Sequence, residues 1–233
     1  AVREAVKASI GDANPDVAIS ALDLAEKKRG DPAAHAIAEA AWAHPRTVIR
    51  RRARTLLVSG FRADAAAYPM PEYDTGKTAS DYREALRGSR TGEARVVTAK
   101  GTLKIRLSRA ESPLTVDNFA SLAGKGYFDG APFHRIVPNF VVQDGDPSGT
   151  GWGGPGYEIR DEINSIPYGT GTVGMALSGP DTGGSQWFIT HSPQPHLDGR
   201  YTVFGQLLEG WDVLERLEQG DRIQSLTVSM IPQ

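Results

Sequence analysis

The sequence predicts a mainly β fold: a closed antiparallel barrel of eight strands capped by two helices, preceded by a small α-helical segment. Two observations lead there. Apolar residues recur at helical spacing up to about residue 66 and alternate from Arg95 onward. The second part then holds many short alternating runs and only two helical ones. The expected division is a helical segment over 1–66, a linker or wrapping segment over 67–92 and a β domain over 93–233.

In the first part, three stretches open with proline after a capping position: Asn14-Pro15, Asp31-Pro32 and His44-Pro45. Proline suits a first helical turn, where its missing N–H leaves nothing unpaired, and Asn or Asp can accept from the turn above. After Pro15, Val17, Ala18, Ala21, Leu22 and Ala25 form one stripe; after Pro45, Val48, Ile49, Ala53, Leu56 and Leu57 form another. Short helices that are apolar on one side must stack to bury it. They resemble HEAT-type repeats, with a repeat or two present, while an irregular helical extension accounts for the same pattern. Arg50, Arg51, Arg52 and Arg54 spread over more than one helical face and read as solvated surface.

Between Ala65 and Gly92 the texture changes to Tyr68-Pro69-Met70-Pro71 and a Gly/Thr/Ser-rich stretch, with one short helical candidate at Asp81–Leu86. Beyond it, Val96-Val97-Thr98 leads through Lys100-Gly101 into Thr102–Leu107, where Leu103, Ile105 and Leu107 alternate with Lys104 and Arg106. That is a hairpin with one buried face. A helix follows, capped by Thr115, striped by Val116, Phe119, Ala120 and Ala123 and stopped at Gly124. Further strands read at Phe133–Val137, Phe140–Gln143, Thr172–Ala176, Gln186–Thr190, Thr202–Leu207 and Gln224–Ser229, and the second helix at Gly210–Gln219.

Composition narrows the function classes. With 26 Lys+Arg against 28 Asp+Glu the net charge is -2, so nothing draws the chain to nucleic acid or an anionic membrane. No run approaches a membrane span, which reads as a soluble chain, and AVREAVKASIGD lacks the apolar core of a signal peptide. The sequence begins at Ala1 without an initiator Met, which leaves room for a removed signal, anchor or further domain. Zero cysteines exclude disulfides and thiol catalysis; the compartment stays open between a bacterial envelope or periplasm and the cytoplasm.

The motifs lie in the second part. Phe133-His134-Arg135-Ile136-Val137-Pro138-Asn139-Phe140-Val141-Val142-Gln143-Asp144-Gly145-Asp146 resembles the cyclophilin signature. The run from Gly174 through Ser185-Gln186-Trp187-Phe188-Ile189 resembles that family's second block, and Leu197-Asp198-Gly199-Arg200-Tyr201-Thr202-Val203-Phe204-Gly205 its third. With their flanks the three blocks cover some 140 residues in the family's order. The resemblance implies a peptidyl-prolyl cis/trans isomerase of the cyclophilin barrel fold.

The chemistry can be argued without the name. Rotation about an X–Pro bond faces a barrier near ~18–20 kcal/mol, and spontaneous exchange takes tens to hundreds of seconds. At the twisted transition state amide resonance is lost, and the prolyl nitrogen recovers a lone pair that can accept a hydrogen bond. Alternation places Phe133, Arg135 and Val137 on one strand face and Val141 with Gln143 on one face of the next. A guanidinium can therefore stand beside an amide and an apolar wall, and it never loses its charge. Neither metal nor cofactor is required.

From the family come residue roles. The resemblance makes Arg135 the main catalytic group, with Gln143 holding it and touching substrate. The proline pocket corresponds to Phe140, Val141, Phe188 and Leu197; the backbone of Leu177 would bond the residue before proline, and Gln186 lines the neighbouring groove. Val141 stands where Met is usual, His196 where many members have Trp, and Tyr201 where His is usual. In sensitive members that Trp indole donates to the groove ligand cyclosporin A. Proline-containing polypeptides are the implied partners, with a possible protein partner for the helices, for a chain read as a monomer.

Competing readings are weaker. Ser185, His191 or His196 and Asp198 invite a serine-hydrolase reading, but nothing resembles a nucleophile elbow. Gly151-Trp152-Gly153-Gly154-Pro155-Gly156 lacks the Lys-Ser/Thr of a phosphate loop and reads as a flexible loop beside the groove. His134 reads as structural. A proline-peptide binding module without turnover is the alternative function, although a pure binder has no need of a cation at the twisting bond.

Overall fold

The computed structural model describes residues 8–12, 15–71, 83 and 91–231. Asn14 and, apart from Arg83, the helical candidate at Asp81–Leu86 lie outside the described residues. The chain divides into two compact units, Ala1–Tyr73 and Asp74–Gln233. No helix among the described residues is long and apolar enough to cross a membrane.

The first unit holds α1 (Pro15–Lys27), α2 (Pro32–Trp42) and α3 (Thr47–Thr55), the last running into a π-helical turn over Leu56–Gly60. Asp31 caps α2, its carboxylate accepting from the Ala33 amide at 2.9 Å with Pro32 in the first turn. The third helix begins later than Pro45 suggests, because Arg46 is still extended and gives its N–H to His44 Nδ1 at 3.0 Å. Ala18, Leu22 and Ala25, then Ala34, Ile37, Ala38 and Ala41, then Ile49, Ala53, Leu56 and Leu57 meet in one buried core. The arginine run is not the solvated surface expected. Arg52 pairs with Asp23 at 2.7 Å and Glu26 at 2.6 Å, Arg50 donates to the carbonyls of His44 and Pro45, and Arg54 donates to that of Tyr68. Carbonyls left free where helices end or chain segments turn are what a guanidinium satisfies best.

The second unit is mainly β. Its strands are β1 (Thr91–Thr98), β2 (Gly101–Leu107), β3 (Arg135–Val137), β4 (Val141–Asp144), β5 (Thr172–Met175), β6 (Trp187–Thr190), β7 (Val203–Glu209) and β8 (Ile223–Ile231). Two helices, α4 (Pro113–Gly124) and α5 (Trp211–Arg216), accompany them. All pairings are antiparallel, in the order β3-β4-β6-β5-β7-β2-β1-β8. The hairpin turns at Gly101, whose φ of 136° only glycine adopts freely.

This order corrects the expected closed barrel: β3 and β8 are not paired, and the sheet is an open half-barrel. Closure stops because β3 is only three residues long, and the chain before it meets the start of β8 at a bridge and not along a ladder. Only an isolated bridge, Pro132 with Arg222, spans the gap, supported by single bonds such as Phe133 N–H to the Asp221 carbonyl at 2.8 Å. Phe133 precedes this short strand and sits fully buried in the core rather than on the face of Arg135.

Within the half-barrel, Phe119 of α4 packs against Phe128, Trp187 and Phe204 with ring centroids 5.2, 5.7 and 5.3 Å away. Burying side chains of this size stabilises by about 1.5–3 kcal/mol each. α4 starts at Pro113, with Thr115 inside the helix and not capping it. Its free amides are satisfied by a distant carboxylate: Glu162 accepts from the amides of Leu114 and Thr115 at 3.0 and 2.8 Å and from the Thr115 hydroxyl at 2.8 Å.

Candidate active site

Period-two alternation in β4 buries Val142 and Asp144 on one face and turns Val141 and Gln143 toward a groove on the other. β3 lies antiparallel to it with Arg135 directly opposite Gln143, so both side chains rise from the same face. The groove holds a cavity of about 230 Å³ lined by Arg135, Phe140, Val141, Gln143, Ala176, Leu177, Phe188, Leu197 and Tyr201.

The cavity floor is a small apolar cluster separate from the main core. Val141, Tyr168, Phe188, Leu197 and Val203 are buried there, with Phe140, Ala176 and Tyr201 packed against them. Phe188 stacks on Tyr168 at 5.6 Å and meets Tyr201 edge-on at 6.1 Å. Tyr168 anchors this stack by donating its hydroxyl to the Thr202 carbonyl at 3.2 Å, and burial pushes its pKa far upward. Loops deliver the rest: Phe140 from the turn between β3 and β4, and Leu197 from a 3-10 turn over Pro195–Leu197.

Polar groups line one side in a directed chain. Arg135 Nη1 donates to Gln143 Oε1 at 3.3 Å; Gln143 Nε2 donates to Gln186 Oε1 at 2.9 Å. Gln186 Nε2 in turn donates to the carbonyls of Gly151 and Gly153 at 2.8 and 2.9 Å. Because a carbonyl can only accept, both amides are fixed in orientation and Gln143 must present oxygen to the guanidinium. The guanidinium also lies over the Phe140 ring, 5.4 Å from its centroid. The exposed His196 stacks on that ring at 5.7 Å.

Eight of the sequence-predicted site residues thus line the cavity itself. Gln186 reaches it through Gln143, and His196 through Phe140. Ala176 and Tyr168 were not anticipated: Ala176 has no distinguishing side chain, and Tyr168 lies in an irregular stretch with no alternation. His134 is half-buried, and desolvation holds its pKa below the ordinary range. The residues of the serine-hydrolase reading are engaged elsewhere, Ser185 donating to the Gly145 carbonyl at 2.6 Å and Asp198 accepting from the Tyr168 amide at 2.7 Å. Such a site offers one fixed cation-donor beside an apolar recess, the arrangement needed to hold a small ring and to donate to an atom that gains a lone pair.

Comparison with known proteins agrees with that chemistry. The model of the cyclophilin type peptidyl-prolyl cis-trans isomerase/CLD family matches residues 94–230. A peptidyl-prolyl cis-trans isomerase of Synechococcus elongatus is 49% identical over 138 residues, which cover 58% of this chain and 95% of that protein. Peptidyl-prolyl cis-trans isomerase B of Bacillus subtilis is 45% identical over 128 residues, covering 54% and 90%. Among solved structures, a cyclophilin type isomerase of Cryptosporidium parvum superposes with a TM-score of 0.57 at 33% identity, covering 61% of this chain and 99% of that one. The same protein crystallised in the presence of the dipeptide Ala-Pro gives 0.55 at 33% identity, covering 59% and 98%. With its strand order, its groove and a family match running through the whole half-barrel, this chain belongs to the cyclophilin-type peptidyl-prolyl cis-trans isomerases.

Proposed function

We propose that the chain catalyses cis/trans rotation about X–Pro bonds in flexible or unfolded polypeptides and thereby assists their folding, with Arg135 as its main catalytic group. One observation carries this reading. A guanidinium held by Gln143 stands at the rim of an apolar cavity of about 230 Å³ walled by Phe140, Val141, Phe188 and Leu197.

In this reading the proline ring is held in the recess while the preceding carbonyl turns. The planar amide nitrogen accepts nothing; as it twists, its lone pair localises and Arg135 donates to it. The donor is then bonded more strongly in the transition state than in the ground state, which is the condition for acceleration. Each ~1.36 kcal/mol gained is tenfold in rate. The backbone at Leu177, on the groove rim, would hold the residue before proline, and Tyr201 would close the pocket edge with its aromatic face. The relative crystallised with Ala-Pro supports proline-containing peptides as the ligand class.

The half-barrel from about residue 93 acts as the catalytic domain of a monomer, behind a linker over 67–92. The helices over 1–66, a HEAT-like pair or a simpler extension, serve client choice or attachment to a protein partner. An isomerisation assay on a proline tetrapeptide tests the reading. Acceleration above the spontaneous rate supports it, and a folded protein that binds the peptide without accelerating it is a binding module instead.

A further inference from the structure

We propose that Asp146 is a positioning residue for Arg135, acting through the 148–153 loop and the two glutamines. The inference rests on the reading of Arg135 as the catalytic group. Asp146 is fully buried, yet its carboxylate is among the most heavily bonded groups near the groove. Oδ1 accepts from the amide and hydroxyl of Ser148 at 2.8 and 2.7 Å. Oδ2 accepts from the Thr150 hydroxyl at 3.2 Å and from the amides of Gly151 and Gly153 at 2.7 and 3.0 Å. Burial alone would raise its pKa, but the bonds from Ser148, Gly153 and Gly151 outweigh that and hold it at about 2.

Two of the three residues whose amides Asp146 holds, Gly151 and Gly153, are the ones whose carbonyls hold Gln186. Fixing Gly151 and Gly153 therefore fixes two acceptors on one side-chain nitrogen. That nitrogen cannot turn away without stranding both carbonyls, so Gln186 presents its oxygen to Gln143, and Gln143 presents its own to Arg135. The loop read from sequence as loose is bonded at both ends of this relay. A Cβ at 153 would fall 1.9 Å from Asp146 Oδ1, so any side chain there must displace the carboxylate or the loop. An anion suits the place because every contact offered is a donor. An asparagine would set an NH2 against the Ser148 donors or against the glycine amides.

The test measures kcat and KM separately on a proline tetrapeptide. Asp146→Asn should lower kcat roughly tenfold with KM within about twofold, since a displaced donor weakens the transition state and leaves the apolar recess intact. On a Gln186→Ala background the same substitution should cost less than about twofold, because both act through one path. Gly153→Ala, which keeps the charge and displaces the loop, should show the same pattern and decides the matter if Asp146→Asn does not fold. In the unaltered protein, NMR should find the Gln186 side-chain amide protons exchanging slowly. Normal kcat in a folded variant, a loss that repeats in full on the Gln186→Ala background, or free exchange at Gln186 overturns the proposal. Arg135→Ala run alongside separates the two claims: if it leaves kcat unchanged, the reading of Arg135 itself has failed.

Discussion

Arg135 on β3 and Gln143 on β4 are register partners across an antiparallel pair, and the guanidinium donates to the glutamine oxygen at 3.3 Å. That distance is at the long end for an N–H···O bond, so the guanidinium is aimed without being consumed. Gln143→Glu should shorten the contact into an ion pair and set a carboxylate against the Gln186 oxygen. We expect kcat to fall by about tenfold or more while the fold survives, as the donor is drawn away from substrate. Tetrapeptide turnover and thermal melting of this variant check it; undiminished turnover would show that the orientation of Arg135 does not matter.

Asp144 and Asp146 lie two residues apart and titrate in opposite directions. Burial pushes Asp144 from 3.8 up to about 8, and its Oδ2 has no hydrogen-bond partner, while Asp146 is held at about 2. For Asp144 the folded state keeps a proton that the unfolded chain has lost above about 3.8, so its effect on stability worsens as pH rises from about 4 to 8. For Asp146 the stabilisation is present above 3.8 and is lost as pH falls toward 2. Asp144→Asn should therefore stabilise by about 1–3 kcal/mol at pH 8 and by little at pH 4. Denaturant unfolding at the two pH values measures it; an equal effect at both would mean Asp144 is ionised in the fold.

His196 stacks on Phe140 at 5.7 Å, and we propose that it occupies the position of the indole that the sequence resemblance assigns to cyclosporin-sensitive members. An imidazole is smaller and more strongly hydrated, and its N–H is differently placed. At ~25 cal/mol per Å² the loss of some tens of Å² of apolar contact costs about 1 kcal/mol, and a misplaced bond can add roughly 1–3. Cyclosporin A should inhibit weakly, and His196→Trp should recover part of the affinity with peptide turnover unchanged. Titration of both proteins under one assay decides; tight inhibition of the unaltered protein, or no gain from Trp, would remove His196 from the drug contact.

Every cavity residue lies between Arg135 and Tyr201, and the sheet that carries them begins at Thr91. A chain begun just before Thr91 should fold and turn over a tetrapeptide with kcat/KM within about twofold of the full chain, as independent units do. A folded truncation without turnover would make the helices part of the site.

The groove was legible because its parts lie in strand faces set by alternation and in long signature runs. Val141 and Gln143 share a strand face by simple alternation, and the signature runs carry Arg135, Phe140, Phe188 and Leu197, which line one cavity. What stayed hidden depends on residues far apart in sequence. The cap of α4 comes from Glu162, 47 residues beyond Thr115, and no local pattern announces it. The Asp146 relay likewise runs through backbone carbonyls, which every residue has and no sequence distinguishes.

The most direct measurement is the isomerisation of a proline tetrapeptide by Arg135→Ala, with thermal melting of the same sample. Arg135 is exposed and contributes to the fold chiefly its contact with Phe140, a cation–π interaction of about 0.5–1 kcal/mol, so the melt should stay close to native. Turnover should fall about 10²–10³-fold, the loss expected when a preorganised donor worth about 2.7–4 kcal/mol at the transition state is removed. A native melt with undiminished turnover would contradict the assignment of Arg135.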